Sequence, residues 1–489
     1  MKRTTALVCF CLLAPVLVAV ETNPVVRTIT LRACIERALT DNLEIRAERI
    51  YPSIATWGVV QQEGVFDPAF IASATYNESS TPRTTGDYTD LRQFNPSLGL
   101  GGVLPTGTRY NLSVSDYRSG GTGVPDYLYT GNASLTLTQP LLKNFGFNPN
   151  LAYIRVARKK RDIATQNFAM LVMNKVSEVS RAYYELVFAI EDHKAKLEDL
   201  NRAKRLLEEN RKRVQVGVMS PLDVTQAEAG VAEREEAVIV AERAIKDNEN
   251  ALKRLISSDV RFLLGETLVP LDYPVAEMVE VDVARSTRAA LEQRPDFLAA
   301  KHEVERQNIL VQYTRNQLWP ELDLQASYGM NGWAGSGFHT LTARQLSQDH
   351  NAWGIGFSIS FPIGNRQARA NYSMARLDRE QALLTLKQLE QNIVVQVDNA
   401  VGRVQTNLKR VEATRAASRL AEESLKAEET KLRAGTSTSF LVLQAQSQLA
   451  AARSAEIRAK ADYSESLVEL FRVEGSTLKR NNIVLDESF

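Results

Sequence analysis

Cysteine is scarce in this 489-residue chain: there are three, and two of them, Cys9 and Cys11, lie in an apolar run near the start. Only Cys34 lies beyond that run. A single thiol forms neither an internal disulfide nor a cysteine-based metal site, so the expectation is a small residue packed on a helix. The four histidines show no metal-ligand spacing, and no phosphate-binding loop occurs. With no constellation of reactive groups, neither enzyme activity nor a cofactor or metal is expected. Net charge is only +1, which gives no general reason to expect a nucleic-acid partner. After residue 20 there is no run of 18 apolar residues, and mean hydropathy is −0.23. A polytopic helical membrane protein is thereby excluded, and any membrane role must come from β-strands or surface attachment. Residues 152–216 lack proline altogether, so a continuous helix there could run about 95 Å at 1.5 Å per residue.

What is present begins with Lys2 and Arg3, followed by the apolar run Ala6 to Val20 and the polar stretch Glu21-Thr22-Asn23-Pro24. This pattern predicts a secretory signal peptide over residues 1–20, with cleavage near Ala19 to Glu21. Neither leader cysteine follows the small residue a lipoprotein signal needs, so no lipid anchor is expected there. Hydrophobic residues at 44% and charged residues at 24% describe a chain that folds.

The chain repeats itself. At a shift of 218 positions Gly217 falls on Gly435, Val224 on Val442, Gln226-Ala227 on Gln444-Ala445 and Arg254 on Arg472. Val176, Val179 and Ala182 fall on Val394, Val397 and Ala400, while Pro140 meets Pro362 at a shift of 222. The difference places a small insertion at Asn144 to Pro149. Ala38-Leu39 with Asn42-Leu43 corresponds loosely to Ala290-Leu291 with Arg294-Pro295. The predicted organisation is a first repeat over 28–258, a second over 280–478 and a tail over 479–489. Each repeat reads as a short amphipathic helix, then strands, then a very long helix, a glycine-containing turn and a second long helix.

Seven-residue periodicity runs through the long helices. Val176, Val179, Tyr183, Leu186, Ile190, His193, Leu197, Leu200, Lys204 and Leu207 are spaced 3, 4, 3, 4. Val224, Val231, Val238, Ile245 and Leu252 recur every seven residues, and Val394, Val397, Val401, Val404, Leu408 and Val411 repeat the pattern. A strict heptad predicts left-handed coiled-coil packing. Ala445, Ala452 and Ala459 let helices approach closely. His193 on the seam reads as a packed residue, and the charges between seam positions as a solvated face. On the helices alone, a secreted periplasmic coiled-coil scaffold or adaptor without a pore fits equally well.

The strands separate these readings. Trp353, Ile355, Phe357, Ile359, Phe361 and Ile363 alternate with Gly354, Gly356, Ser358, Ser360 and Pro362. One large apolar face and one small or polar face is the pattern of a transmembrane β-strand. Its expected partner carries Leu322, Leu324, Ala326 and Tyr328. The first half offers Ala133, Leu135 and Leu137 alternating with Asn132, Ser134, Thr136 and Thr138, and a second strand over Phe70 to Tyr76. Tyr328, Trp333, Phe338 and Trp353 fit an interfacial aromatic belt, and segments 77–95, 117–130 and 329–351 read as outer loops. Ser97 to Val103 and Arg109 to Ser115 flank Leu104-Pro105-Thr106-Gly107 as a hairpin, which either joins the barrel or caps it. Either one chain supplies many strands or several chains share one barrel; the strand runs are too few for a comfortable single-chain barrel, so oligomerisation is expected.

These residues resemble the TolC family of outer-membrane efflux and secretion channels. Thr30-Leu31 with Ala38-Leu39 and Asn42-Leu43 is similar to the family's opening helix. Thr138-Gln139-Pro140-Leu141 resembles its strand-to-helix junction. Val216-Gly217-Val218 through Leu222-Asp223-Val224, and Ala434-Gly435-Thr436 through Leu443, resemble its helix-to-helix turns. The resemblance covers nearly the whole chain beyond the leader, in both repeats. It implies a mainly α protein with membrane β: a homotrimer sharing one β-barrel in outer-membrane lipid, continued by a long periplasmic α-helical coiled-coil barrel. Its implied role is a passive exit duct of a tripartite efflux pump or type I secretion system, working with a periplasmic adaptor (membrane-fusion) protein and an inner-membrane pump. Carried onto this chain, the periplasmic tips are Gly217, Leu222 and Asp223, and Gly435 and Thr436. Asp223 is either a pore-facing carboxylate ring or an acidic residue placed for the helix dipole. Where some members carry acidic residues at the second tip, this chain has Leu441 and Gln444, so an apolar constriction at Phe440 and Leu441 is the other candidate.

Overall fold

The computed structural model describes residues 25–84, 86, 88–122, 124–259, 262, 265–273, 279–334 and 350–485. The expected leader, Phe338 and the side chain of Trp333 lie outside the described residues. In chain order come β1 (Val25–Ile29), α1 (Leu31–Asp41), α2 (Leu43–Glu48), α3 (Ile50–Glu63), β2 (Ala69–Pro82), β3 (Tyr88–Val103), β4 (Arg109–Gly121), β5 (Val124–Pro140), α4 (Phe147–Asn150), α5 (Ala152–Gln215) and α6 (Pro221–Ile256). Then follow β6 (Glu266–Pro270), α7 (Val283–Gln293), α8 (Pro295–Asn316), β7 (Glu321–Ala334), β8 (Asn351–Ser360), α9 (Arg366–Arg433), α10 (Ser439–Val473) and α11 (Thr477–Arg480). The proline-free stretch is one helix of 64 residues, and α9 has 68. Among the described residues no helix is long and apolar enough to cross a membrane.

The duplication is visible in the caps. Asn42 ends α1 at φ −66°, ψ 123°, and Arg294 ends α7 at φ −67°, ψ 123°. Each donates its backbone N–H to an alanine carbonyl four residues back, Ala38 and Ala290. Asn42 Nδ2 donates to the Leu255 carbonyl at 2.9 Å, and Arg294 to the Val473 carbonyl at 3.4 Å. Leu255 and Val473 are themselves 218 residues apart, so a long-range bond recurs along with the sequence. It satisfies a carbonyl near a helix end that has no intrahelical partner.

The chain divides into two compact units, and neither is a sequence repeat. One takes residues up to Leu43, Glu178–Glu277 and Asn407–Glu465; the other takes Glu44–Ser177, Met278–Thr406 and Ser466 onward. In the first unit β1 and β6 form a parallel pair, Val25 opposite Glu266 through Ile29 opposite Pro270. Leu200, Ala203 and Leu207 of α5 pack on Ala227, Val231 and Val238 of α6. On another face of α5, Leu206 packs with Leu425 and Leu432 of α9 and Val442, Ala445 and Leu449 of α10. Each fully buried Leu or Val in such a seam stabilises by about 1.5–3 kcal/mol.

The α5 seam therefore departs from the strict heptad. Leu197 is 42% exposed and Lys204 is exposed, while Ala203 and Leu206 are buried. Contact on two faces widens the buried arc beyond the narrow stripe of a two-helix coil. In the second unit Val394 is 42% exposed and Ile393 is buried in its place. Polar locks supplement the seams of the first unit. Arg234 donates to Asp199 at 2.7 Å with both side chains buried. Glu249 of α6 accepts from the Leu268 N–H of β6 at 2.9 Å and from Lys253 at 3.0 Å. Burial acts to raise the Glu249 pKa, but the bonds from Lys253, Leu268 and Lys246 outweigh it and hold the carboxyl below its usual range. Cys34 is fully buried, and burial pushes its thiol up to about 12.

In the second unit, six strands among the described residues form one antiparallel sheet in the order β2-β3-β4-β5-β7-β8. The expected partnership of β7 and β8 holds in register: Leu322, Leu324, Ala326 and Tyr328 lie opposite Ile359, Phe357, Ile355 and Trp353. Strand β8 ends at Ser360, two residues before Pro362, so Phe361 and Ile363 fall outside it. The hairpin flanking Leu104–Gly107 is part of the sheet, with Leu104 N–H bonded to the Thr108 carbonyl at 2.8 Å. Much of what reads as outer loop is strand. Residues 77–82 pair with 88–93, residues 117–121 continue β4, 124–130 continue β5, and 329–334 continue β7. One cross-strand ion pair joins such polar positions, Arg92 with Glu78 at 2.8 Å.

Candidate functional site

Two helix-to-helix turns, 218 residues apart, are built alike from backbone hydrogen bonds upward. At the end of α5, Gly217 N–H bonds the Val214 carbonyl at 3.0 Å and Val218 N–H bonds Arg213 at 3.0 Å. At the end of α9, Gly435 N–H bonds Leu432 at 3.2 Å and Thr436 N–H bonds Lys431 at 2.9 Å. This paired reach-back is the Schellman cap, which consumes carbonyls the helix leaves unpaired and requires a left-handed residue. Gly217 has φ +74° and Gly435 φ +76°. A Cβ at either would meet nothing within 4 Å, so backbone conformation, not crowding, calls for glycine. Lys212 and Arg213 in the last turn of α5, and Lys431 and Arg433 in that of α9, complement the negative helix ends.

The outgoing helices begin in the same manner. Ser220 caps α6, its Oγ accepting from the Leu222 N–H at 3.2 Å, and Pro221 takes the first helical position. Thr438, immediately before α10, accepts from the Leu441 N–H at 3.4 Å. Asp223 is half-buried in the first turn of α6, where a carboxylate favours the helix dipole. Leu222 is 63% exposed, and Phe440 and Leu441 on the first turn of α10 are exposed, as is Thr436. The two turns are tied together. Asn210 Nδ2, on a fully buried residue, donates to Ser439 Oγ at 2.6 Å and to the Asp223 carbonyl at 3.4 Å. Arg213 donates to the Leu432 carbonyl at 3.2 Å. The structure thus brings Asp223, Phe440 and Leu441 to one linked pair of turns. Sequence reading missed Asn210 and Ser439. The one available signal was an asparagine three positions beyond the seam leucine Leu207, where a polar residue must find a partner.

The second functional feature is the sheet, whose two faces differ in every strand. Phe70, Leu100, Leu112, Leu135, Tyr328 and Trp353 stand side by side across all six strands. One residue along, on the other face, the row is Ala69, Gly101, Asn111, Thr136, Ser327 and Gly354. A further row on that face is Ser73, Ser97, Ser115, Asn132 and Asn331, bridged by Ser73 with Ser97 at 2.7 Å and Asn132 to Asn331 at 2.7 Å. Trp353, Ile355, Phe357 and Ile359 of the edge strand are between 66% and 75% exposed. A sheet with one apolar and one polar face suits lipid on one side and water on the other. Two long helix pairs and this sheet are features a single-hairpin scaffold does not have. Among the described residues no group of three or more His, Cys, Asp or Glu is placed to hold a metal ion.

Comparison with known proteins agrees with this architecture. The family model described as outer membrane efflux protein matches residues 34–258 and 287–476. OprJ, an outer membrane protein of Pseudomonas aeruginosa, is 26% identical over 266 residues, 53% of this chain and 52% of that protein. The matched stretch thus spans about half of OprJ. The outer membrane efflux protein BepC of Brucella suis is 25% identical over 359 residues, 72% of this chain and 73% of its own. Among solved structures, the outer-membrane channel OprN superposes with a TM-score of 0.69 at 18% identity, covering 91% of this chain and 90% of that one. The CmeC outer membrane channel of Campylobacter jejuni gives 0.67 at 19%, covering 94% and 90%. At such identities the structural likeness establishes the fold, and the family match over both repeats establishes membership: this chain belongs to the outer membrane efflux protein family.

Proposed function

We propose that the protein is a passive exit duct in the outer membrane, the outermost part of a tripartite efflux pump or type I secretion system. The observation that carries this reading is the two-faced sheet joined, in both repeats, to a long helical hairpin. Relatives at about a quarter identity support it, one being a solvent efflux pump outer membrane protein of Pseudomonas putida. The repeats are assigned to 28–258 and 280–478.

The working form is a homotrimer. Edge strands β2 and β8 have unpaired ladders to satisfy in lipid. The helices beside them carry bare apolar stripes: Ile50, Ile54 and Trp57 on α3, which leads into β2, and Met374, Leu377 and Leu384 on α9, which follows β8. Such stripes suit the flanks of neighbouring copies. The linked turns at Gly217, Leu222, Asp223, Gly435 and Thr436 receive the periplasmic adaptor that joins the duct to the inner-membrane pump. Asp223, Phe440 and Leu441 line the constriction of the resting channel. Three copies would bring three carboxylates and six exposed apolar side chains to one narrow end.

Single-channel recording of the detergent-purified protein in a planar bilayer tests this reading. The expected result is discrete conductance steps whose cation preference falls in Asp223→Ala. Trimers that insert and conduct with unchanged selectivity would remove Asp223 from the pore wall, and protein that neither inserts nor oligomerises would overturn the duct itself.

A further inference from the structure

The sheet contains four strands from the first repeat, β2 to β5, but only two from the second, β7 and β8. In the duplicated pattern β2 follows the opening helices and β5 precedes α5, as β7 follows α8 and β8 precedes α9. The β3–β4 hairpin is therefore an insertion into one repeat, and three observations make it part of the wall. It pairs on both sides, Ser73 opposite Ser97 and Ser113 opposite Ser134, in antiparallel order between β2 and β5, with one register shift at Ser119–Gly121. Its apolar residues, Leu98 and Leu100 on β3 with Leu112 and Val114 on β4, continue the apolar rows of its neighbours. Its Gly101, Asn111 and Ser115 continue the polar ones. Its turn is fastened to the strand-to-helix junction, where the Gly146 N–H bonds the Thr106 carbonyl at 3.1 Å and Thr108 bonds Gln139. A hairpin that capped or plugged the pore would have neither an apolar row in step with the membrane-facing one nor a partner strand on each side.

We infer that the β3–β4 hairpin is a bore-widening insert: with three copies each giving six strands, it raises the shared barrel from twelve strands to eighteen. This rests on the trimer reading above. With strands about 4.8 Å apart and tilted about 40°, eighteen strands give a backbone diameter of about 36 Å and twelve give about 24 Å, roughly a twofold difference in cross-section. On the inserted strands the polar face carries Ser97, Gly99, Gly101, Asn111, Ser113 and Ser115, so the added width is open to water. On the proposed duct reading, the wider barrel would restrict solutes less and discrimination would fall to the proposed constriction.

Electron cryomicroscopy of the purified assembly in lipid nanodiscs, viewed down the barrel axis, tests the inference. It would be run alongside a deletion of residues 88–121, which removes one up strand and one down strand and leaves β2 antiparallel to β5. Expected are three copies with eighteen strands, and in the deletion three copies with twelve and a cross-section about halved. Three copies with twelve strands in the intact protein, the hairpin lying inside or above the pore, would overturn the insert while leaving the duct reading intact. Any other copy number would overturn the reading on which it rests. A second pair of variants serves if the deletion does not fold: Leu112→Arg, on the apolar row, is expected to lower the yield of membrane-inserted trimer at least tenfold, and Ser113→Arg to leave it within twofold. Equal yields would place the hairpin away from lipid and overturn the inference.

Discussion

In the proposed duct the sheet and the linked helix turns serve one passage, and they are built from opposite materials. In the sheet nearly everything is periodic: side chains alternate every two residues, large and apolar on one face, small and polar on the other. The turns depend on individuals: two left-handed glycines, two hydroxyl caps and one buried asparagine reaching between them. A wall in contact with lipid has only to satisfy its backbone and present one apolar side, which many sequences do. In the proposed duct, turns that close and meet a partner need particular bonds, and they are expected to be correspondingly sensitive to single changes.

The largest expected loss comes from the buried lock between α6 and β6 in the first unit. Glu249→Ala leaves Lys253 buried without its carboxylate and the Leu268 N–H without its acceptor, at an expected cost of about 3–5 kcal/mol. Denaturant unfolding followed by circular dichroism measures it. Because the folded state depresses the Glu249 pKa, its contribution is full above the usual carboxylate range and is lost as pH falls through the depressed value. The wild type should lose stability toward acid more steeply than Glu249→Gln. Next comes the sheet: Leu135→Arg is expected to cost about 2–4 kcal/mol of membrane stability if it faces mid-bilayer, and Ser134→Arg little. Heat-resistant oligomer on a gel reads the pair, and equal effects would break the assignment of faces.

How legible each region was follows from the same contrast. The alternation from Trp353 to Ile359 and its partnership with Leu322 to Tyr328 were readable because a period of two with large contrast in side-chain size has few other meanings. The turns were readable only through duplication: Gly217 alone is one glycine among 25, but Gly217 with Gly435 at a fixed shift is a pattern. The outward halves of the strands were not readable. Beyond the apolar band they are rich in Ser, Thr, Asn, Asp and Gly, a composition that reads as loop, and the ladder between strands, with cross-strand pairs such as Arg92 and Glu78, holds them extended. The seam position Ala203 was hidden because periodicity assumes one partner helix, and α5 has neighbours on two faces. The parallel pair of β1 and β6 was missed because five residues carry too little pattern, and its partner lies 241 positions away.

Two smaller effects sharpen the comparison on the side of the helices. Gly217→Ala and Gly435→Ala each force a Cβ into left-handed backbone and should cost about 1–2 kcal/mol locally. Cross-linking yield to the periplasmic adaptor is expected to fall while the amount of inserted trimer holds; loss of insertion instead would show that these turns serve assembly. Smallest at neutral pH is Glu465→Gln on α10. Burial, with Glu185 beside it, pushes the Glu465 carboxyl up to about 7. A raised folded-state pKa contributes stability that is full below the usual carboxylate value and is lost as pH rises through about 7. The amide should flatten that decline between pH 5 and 8 in thermal unfolding (a window set by those two pKa values), and an unchanged slope would remove the proton from Glu465.

The central claim is that the sheet's alternation is an alternation of lipid and water. Spin labels placed singly at positions 112, 113, 134 and 135 in the reconstituted protein test it by their accessibility to oxygen, which concentrates in lipid, and to a water-soluble nickel complex. The account predicts oxygen-dominated relaxation at 112 and 135 and nickel-dominated relaxation at 113 and 134; the same accessibility at all four would contradict it.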